Sequence, residues 1–414
     1  MAHALLWFIG LVIIASCSPR IQTRTARQSD VQILPRTLSA NPKVSPCTDP
    51  MSYVEHPQFI RTKYIRVNFH FMNSTDGKYN MPEEEVTFYA HNWIEKANYN
   101  LERNHKMNLP PGNNTPLLPI PYRYVISPDP SVPGDDGVYY HIDDVLCYAV
   151  KTGRERNISD RRVINKYAVR SDSVMNLFVQ THQLDSIKSK TYRPDASGIS
   201  LGTSVKIFGL WFERPDVWGL RAITNHEIGH SLGLSHSWLE FDGCDDTPKH
   251  TNCWQITDKP PCDSIISNNI MDYNNSMAAL TPCQIGKVLL NMARPKSIQR
   301  NILIQKWCHL DTTANITISD SMRWSGSIDL EGNLVVSRDA TLEIGCRVSI
   351  PAGGNVTVHP GAKLVLLSDG KLHNACGESW NGVQLIKEKK NSGELFLMEG
   401  AVIENLADTL GTTP

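Results

Sequence analysis

The stretch "NHEIGHSLGLSH", residues 225–236, holds three histidines, one glutamate and two glycines. His226 and His230 are four residues apart, which in a helix puts both imidazoles on one face, one above the other. Two imidazoles so placed can hold one zinc ion at about 2.0–2.1 Å each. Glu227 lies beside them and is suited to take a proton from an attacking water instead of binding the metal. Gly233, three residues after His230, can take the left-handed conformation that ends a helix and turns the chain. That turn brings His236 back as a third ligand. Three neutral histidines leave zinc an open position, which separates a catalytic site from a closed structural one. The bland alternative is a core helix that happens to carry histidines. A bare H-E-x-x-H recurs by accident, but the longer pattern fixes five identities and arises about once in 10,000 chains of this size.

The element that must carry these residues is a helix over "VWGLRAITNHEIGHSLGL", 217–234. Upstream, "KYIRVNFHFM" (63–72) alternates as a strand does, with Ile65, Val67 and Phe69 on one face and Arg66, Asn68 and His70 on the other. "MPEEEVTFYAHNWIEKANYNLERN" opens with Pro82 and three acids, a helix N-terminus. Its Val86, Ala90, Trp93 and Ala97 then follow amphipathic spacing. "YRYVIS", "GVYYHI", "VMNLFVQ" and "SVKIFGLWF" are further strand candidates. The expected fold class is α+β over residues 59–309: a twisted mixed sheet, a long backing helix, the histidine-bearing helix and an irregular C-terminal subdomain. Beyond residue 310 the texture changes to short apolar alternations broken by Gly, Asp or Pro. Units of roughly 20–25 residues suit a β-helix-like module over 310–414, with a β-sandwich as the competitor. Trp324 and Trp380 read as core residues of that module before ligand platforms.

The N-terminus points to export. "ALLWFIGLVIIAS" (4–16) is an uncharged apolar run, short for a membrane span of roughly 20 residues and suited to a signal peptide over 1–16. It ends in "IASC", which resembles a bacterial lipoprotein signal with Cys17 as the lipidated residue, although no Lys or Arg precedes the run. Residues 17–58 then read as a lipid tether or short pro-segment. The implied location is the bacterial cell envelope or surface, with plain secretion as the alternative. The net charge of −1 excludes a nucleic-acid partner held by bulk charge.

Ten cysteines in an exported chain imply disulfides. With Cys17 set aside the count is odd, so at least one thiol is left over. Cys244, Cys253, Cys262 and Cys283 allow three pairings, and spacing does not choose among them. They lack the CxxC pair of a structural zinc site. Cys47 is expected in a disulfide, with Cys147 as a candidate partner.

"HEIGHSLGLSH" followed by "NNIMDY" (268–273) resembles the metzincin superfamily of zinc endopeptidases. Within it the chain is most similar to the pappalysin family, through "HSW", "GCDDTP" (243–248), the Cys-bearing loop, "NIMDY" and "LTPCQIG" (280–286). The resemblance covers roughly residues 60–300 in layout, and its specific motifs lie in 222–290. It implies zinc as cofactor, held by His226, His230 and His236, with Glu227 as general base and a protein or peptide as substrate. Met271 would be the methionine of the turn beneath the metal, a packing floor. Tyr273 would support the oxyanion or bind zinc in the resting state. The resemblance further implies calcium near Asp242, Asp245 and Asp246, for which a solvated acidic turn is the alternative. It favours pairing Cys244 with Cys262 and Cys253 with Cys283, and it raises a thiolate of Cys47 blocking the metal as a latency device. The family's basic preference is not carried over, because no acid can be assigned to that pocket. The competing function is a surface adhesin or binding protein in which the β-rich module carries the main role. Oligomeric state is left open.

Overall fold

The computed structural model describes residues 21–35, 45–209, 217–239 and 241–407. The expected signal peptide and lipidated Cys17 lie outside the described residues. Among them no helix is long and apolar enough to cross a membrane.

The first unit is built on a sheet whose strands run, in spatial order, Tyr122–Ile126, Lys63–Asn73, Met175–His182, Ser204–Gly209 and Ser197–Ser200. Val138–Ile142 continues beside the second half of Lys63–Asn73, and Tyr148–Ala149 pairs with the end of Met175–His182. Every pairing is parallel except that of Ser197–Ser200, which lies antiparallel at the edge. A central parallel strand is covered on both faces. That is why Lys63–Asn73 is buried on both sides from Val67 onward, including the Asn68 and His70 side that the alternation marks as polar.

His70 meets this burial with hydrogen bonds. Its Nε2 lies 2.9 Å from Asn176 Oδ1 and its Nδ1 3.0 Å from His141 Nε2. Burial, with the neighbouring His141, lowers the His70 pKa to about 3. A neutral imidazole offers one donor and one acceptor, which matches its two partners.

The backing helix, Val86–Glu102, buries Val86, Ala90, Trp93, Ile94, Ala97 and Leu101. It lies against the histidine-bearing helix, Val217–Ser231. Trp93 Nε1 donates to Thr224 Oγ1 at 2.8 Å, and Asn225 Nδ2 donates to the Ala97 carbonyl at 3.2 Å. These two bonds set the depth and rotation of the second helix against the first. A third helix, Pro282–Ala293, starts at a capping box of Thr281 and Gln284 with Pro at its first turn.

The second unit is a three-sided stack of short parallel strands. Ile316, Leu334, Val356 and Val383 align in one ladder. Trp324, Ile344, Leu366 and Leu397 form the second, and Ile328, Val348, Leu372 and Ile403 the third. Parallel ladders of this kind make a β-solenoid, whereas a sandwich is built from antiparallel sheets. Trp324 and Trp380 are buried in it.

The segment expected as tether or pro-segment contributes to this stack. Ile21–Thr25 pairs antiparallel with residues 384–388, and Val31–Leu34 pairs parallel with residues 395–398. Two edges of the last coil are thereby covered, which removes unpaired strand groups that would otherwise template association.

The units are joined by charge and sulfur. Asp329 of the solenoid accepts from Arg300 Nη1 at 2.6 Å and from Arg347 Nη1 at 2.7 Å. Burial opposes charge on Asp329, but the two guanidiniums outweigh it and hold the carboxyl well below the usual range. The disulfides are Cys47–Cys346, Cys244–Cys283, Cys253–Cys262 and Cys308–Cys376, with Cα separations of 5.6–5.8 Å, within the span a bridge requires. The alternating pairing of 244 with 262 and 253 with 283 is therefore corrected to an outer and an inner bridge. The Cys47–Cys147 pairing is corrected as well. Cys47 binds the solenoid, so it is not a thiolate available to the histidines, and Cys147 is a free, buried thiol.

Candidate active site

The histidine-bearing helix ends where Gly233 turns the chain. Gly233 has φ +95°, its N–H donates to the His230 carbonyl, and the Leu234 N–H reaches back to the Gly229 carbonyl at 3.0 Å. Those two bonds form a Schellman motif. A Cβ at Gly233 would also lie 2.3 Å from Asn291 Nδ2 and displace that amide, but it is the backbone conformation that requires glycine. The turn returns His236 to the helix face.

The three imidazoles converge. His226 Nε2 lies 3.2 Å from His230 Nε2 and 3.2 Å from His236 Nε2, and the last two are 3.1 Å apart. The outer nitrogens of His226 and His230 are tied elsewhere. His226 Nδ1 donates to the Ile270 carbonyl at 2.8 Å and His230 Nδ1 to the Leu234 carbonyl at 2.9 Å. A carbonyl only accepts, so Nδ1 carries the proton and Nε2 presents a lone pair. Lone pairs packed this closely repel one another unless a cation lies between them. Tetrahedral zinc with bonds of about 2.0–2.1 Å spaces its nitrogens roughly 3.3 Å apart, so the donor set fits that ion. Burial lowers the pKa of all three, to about 3 for His226 and about 4 for His236, which keeps them in the neutral, ligating form.

Glu227 is buried beside the triad. Burial pushes its carboxyl up to about 7, against the pull of the Ser200 backbone amide. Ser200 and Gly198 belong to the antiparallel edge strand, and Gly198 lies directly against the Glu227 side chain. Glu227 thus sits between the edge strand and the imidazoles.

Met271 is fully buried below the helix. Tyr273, two residues on, stands half-exposed with its ring centroid 5.4 Å from that of His226 and 5.0 Å from that of His236. Burial and the neighbouring Glu227 raise its pKa, so its hydroxyl remains a donor at neutral pH.

Two residues at the site have no role in the sequence reading. Trp238 stacks on His236 with centroids 4.0 Å apart and planes at 14°. Asp272 is fully buried and accepts from Ser237 Oγ at 2.6 Å and from Ser267 Oγ. His250 Nε2 lies 3.1 Å from the same carboxylate. Burial opposes charge on Asp272, but His250 and the two hydroxyls outweigh it and lower its pKa. Asp272 therefore pins the segment after the third histidine to the methionine turn. Both residues stand in the motifs "HSW" and "NIMDY", but the Ser237 and His250 partners of Asp272 come from distant parts of the chain, so spacing carries no signal of those contacts.

The three acids of the calcium expectation do not converge on one point. Asp242 accepts from the Cys244 N–H and from Thr247. Asp246 accepts from Thr281 Oγ1 at 2.7 Å and the Cys283 N–H at 3.0 Å, which caps the third helix. Asp245 is exposed.

No protein-family model and no curated protein matches this chain. Solved structures similar to it include mature mirolysin of Tannerella forsythia in complex with a cleaved peptide, at 17% identity and TM-score 0.40, covering 58% of this chain and 95% of that one. Mirolysin in complex with compound 9 is similar at 16% identity and TM-score 0.43, covering 58% and 96%. A Tannerella forsythia promirolysin mutant is similar at 16% identity and TM-score 0.42, covering 60% and 89%. These likenesses are loose, and the chemistry that follows stands on this chain's own side chains.

Proposed function

We propose that this chain is a zinc-dependent endopeptidase of the metzincin type, closest in its motifs to the pappalysins. The single observation that carries this reading is the convergence of three Nε2 atoms within 3.1–3.2 Å of one another beside a buried carboxylate. His226, His230 and His236 hold the ion. When bound, zinc supplies Lewis acidity: it polarises the scissile carbonyl and lowers the pKa of water.

The remaining steps belong to the protein. Glu227 Oε takes the proton of the attacking water and delivers it to the leaving amine. A carboxyl held near neutrality can do both. Tyr273 donates its hydroxyl proton toward the developing oxyanion. Met271 supports the triad from below without taking part in chemistry. The antiparallel edge strand offers an extended polypeptide a ladder beside Glu227, the usual way a sheet edge binds a peptide. We read the chain as exported and lipid-anchored through Cys17 at a bacterial envelope.

Casein digestion with and without chelator, together with metal analysis, tests the reading. The zinc-loaded protein should cleave, and the chelated protein should not. Glu227→Gln should keep one zinc per chain and lose roughly 10²–10⁴-fold in rate. A Glu227→Gln protein with zinc and full activity would remove the general base from the scheme. Chelator-resistant cleavage would remove the metal.

A further inference from the structure

We infer that Trp238 is a positioning residue for the third metal ligand: its indole holds the His236 ring by stacking, in place of the backbone hydrogen bond that fixes each of the other two imidazoles. This inference rests on the zinc reading above and adds a residue to that site.

The three histidines are held in two different ways. His226 and His230 stand on the helix, and each has its Nδ1 on a backbone carbonyl, that of Ile270 at 2.8 Å and that of Leu234 at 2.9 Å. A metal-binding imidazole is normally oriented by such a bond. His236 lies beyond the helix, after the Gly233 turn. Its polar contacts run from Nε2 to the other two histidines, and among the described residues nothing accepts from its Nδ1. Aromatic contact takes over. Trp238 lies face to face with the imidazole, with centroids 4.0 Å apart and planes at 14°. Tyr273 meets His236 edge-on at 5.0 Å and lies 4.8 Å from Trp238.

The indole is itself anchored. The Leu239 N–H bonds the His236 carbonyl at 3.4 Å, which closes a turn with Ser237 and Trp238 at its centre. Ser237 is buried and donates to the buried Asp272 at 2.6 Å, so this turn is fixed to the methionine turn. It folds the indole back over the imidazole. An imidazole that gives its lone pair to a cation becomes electron-poor, and the face of an indole is electron-rich. Tryptophan attracts positive charge best, phenylalanine less well, and an aliphatic chain has no such face. The stack therefore strengthens when the metal binds, and its effect falls on metal affinity more than on folding.

The test uses the full chain with one bound zinc, titrated against a chelator of known affinity with no substrate present. Trp238→Leu keeps an apolar side chain and removes the ring, and it should weaken zinc binding by about 10-fold or more. Trp238→Phe keeps an aromatic face and should bind within about threefold of wild type. The two variants should unfold alike on heating without zinc. Leu239→Ala, at the exposed next position, should bind zinc as wild type does. The inference is overturned if Trp238→Leu binds as tightly as wild type, if Trp238→Phe binds as weakly as Trp238→Leu, or if Leu239→Ala weakens binding equally. A Trp238→Leu protein that does not fold without zinc makes the indole a packing residue and overturns it as well. Casein cleavage is scored separately. A wild-type protein that binds zinc, binds it less tightly as Trp238→Leu and cleaves nothing upholds the inference and defeats the endopeptidase reading. A wild-type protein that binds no zinc at the triad defeats both.

Discussion

Met271 Sδ sits so close beneath Gly229 that a Cβ on the glycine would lie 2.5 Å from it. The residue midway between His226 and the third histidine's turn is therefore a contact point between the helix and the methionine turn. Gly229→Ala should overpack this contact and cost about 1–3 kcal/mol. The double variant with Met271→Ala should recover part of that loss, because the two changes share one space. Urea unfolding of the four proteins measures the coupling, and strict additivity would show that the contact is relieved elsewhere.

Stability should fall with acid through the buried His70. Its pKa is about 3 in the fold against about 6.5 in an unfolded chain. A depressed histidine pKa means that the unfolded chain binds the extra proton first. The stabilisation is complete above pH 6.5 and is lost as pH falls toward 3. The slope for one such group approaches about 1.4 kcal/mol per pH unit. Unfolding of a zinc-free His70→Asn variant across this window should show a shallower slope than zinc-free wild type.

Non-reducing peptide mapping should recover the bridges 47–346, 244–283, 253–262 and 308–376. Cys147 should react with an alkylating agent only after unfolding, because it is buried and burial pushes its thiol up to about 12. Removing the 47–346 bridge by Cys346→Ser should lower stability by about 2–4 kcal/mol. A 253–283 peptide would contradict the inner bridge of the loop.

Asp329→Ala should be among the most damaging changes outside the site. It leaves Arg300 and Arg347 facing each other with no anion between them, a loss of about 3–5 kcal/mol for a broken buried pair. Asp329→Asn should cost less in packing yet still lose the charge. Thermal unfolding of both variants checks the order.

The local parts of this protein were legible in its residues. A period of 3.6 makes His226 and His230 neighbours on any helix, and Gly233 allows the turn that returns His236. The same reasoning recovers the backing helix from Val86, Ala90, Trp93 and Ala97, and most strands from alternation. It stops where a partner is distant in the chain. Asn68 and His70 look like a solvent face until other segments pack on both faces of the sheet. The pairing of four cysteines is a matter of which loops meet, which spacing does not encode. Ile21–Thr25 reads as polar tether because its partner strand lies more than 350 residues later, at 384–388. Asp272 acquires its Ser237 and His250 contacts only when distant loops close around the triad. Helix and strand periodicity act over a few residues and leave a mark in the sequence. Pairing, burial and loop closure depend on chain segments that only tertiary folding brings together.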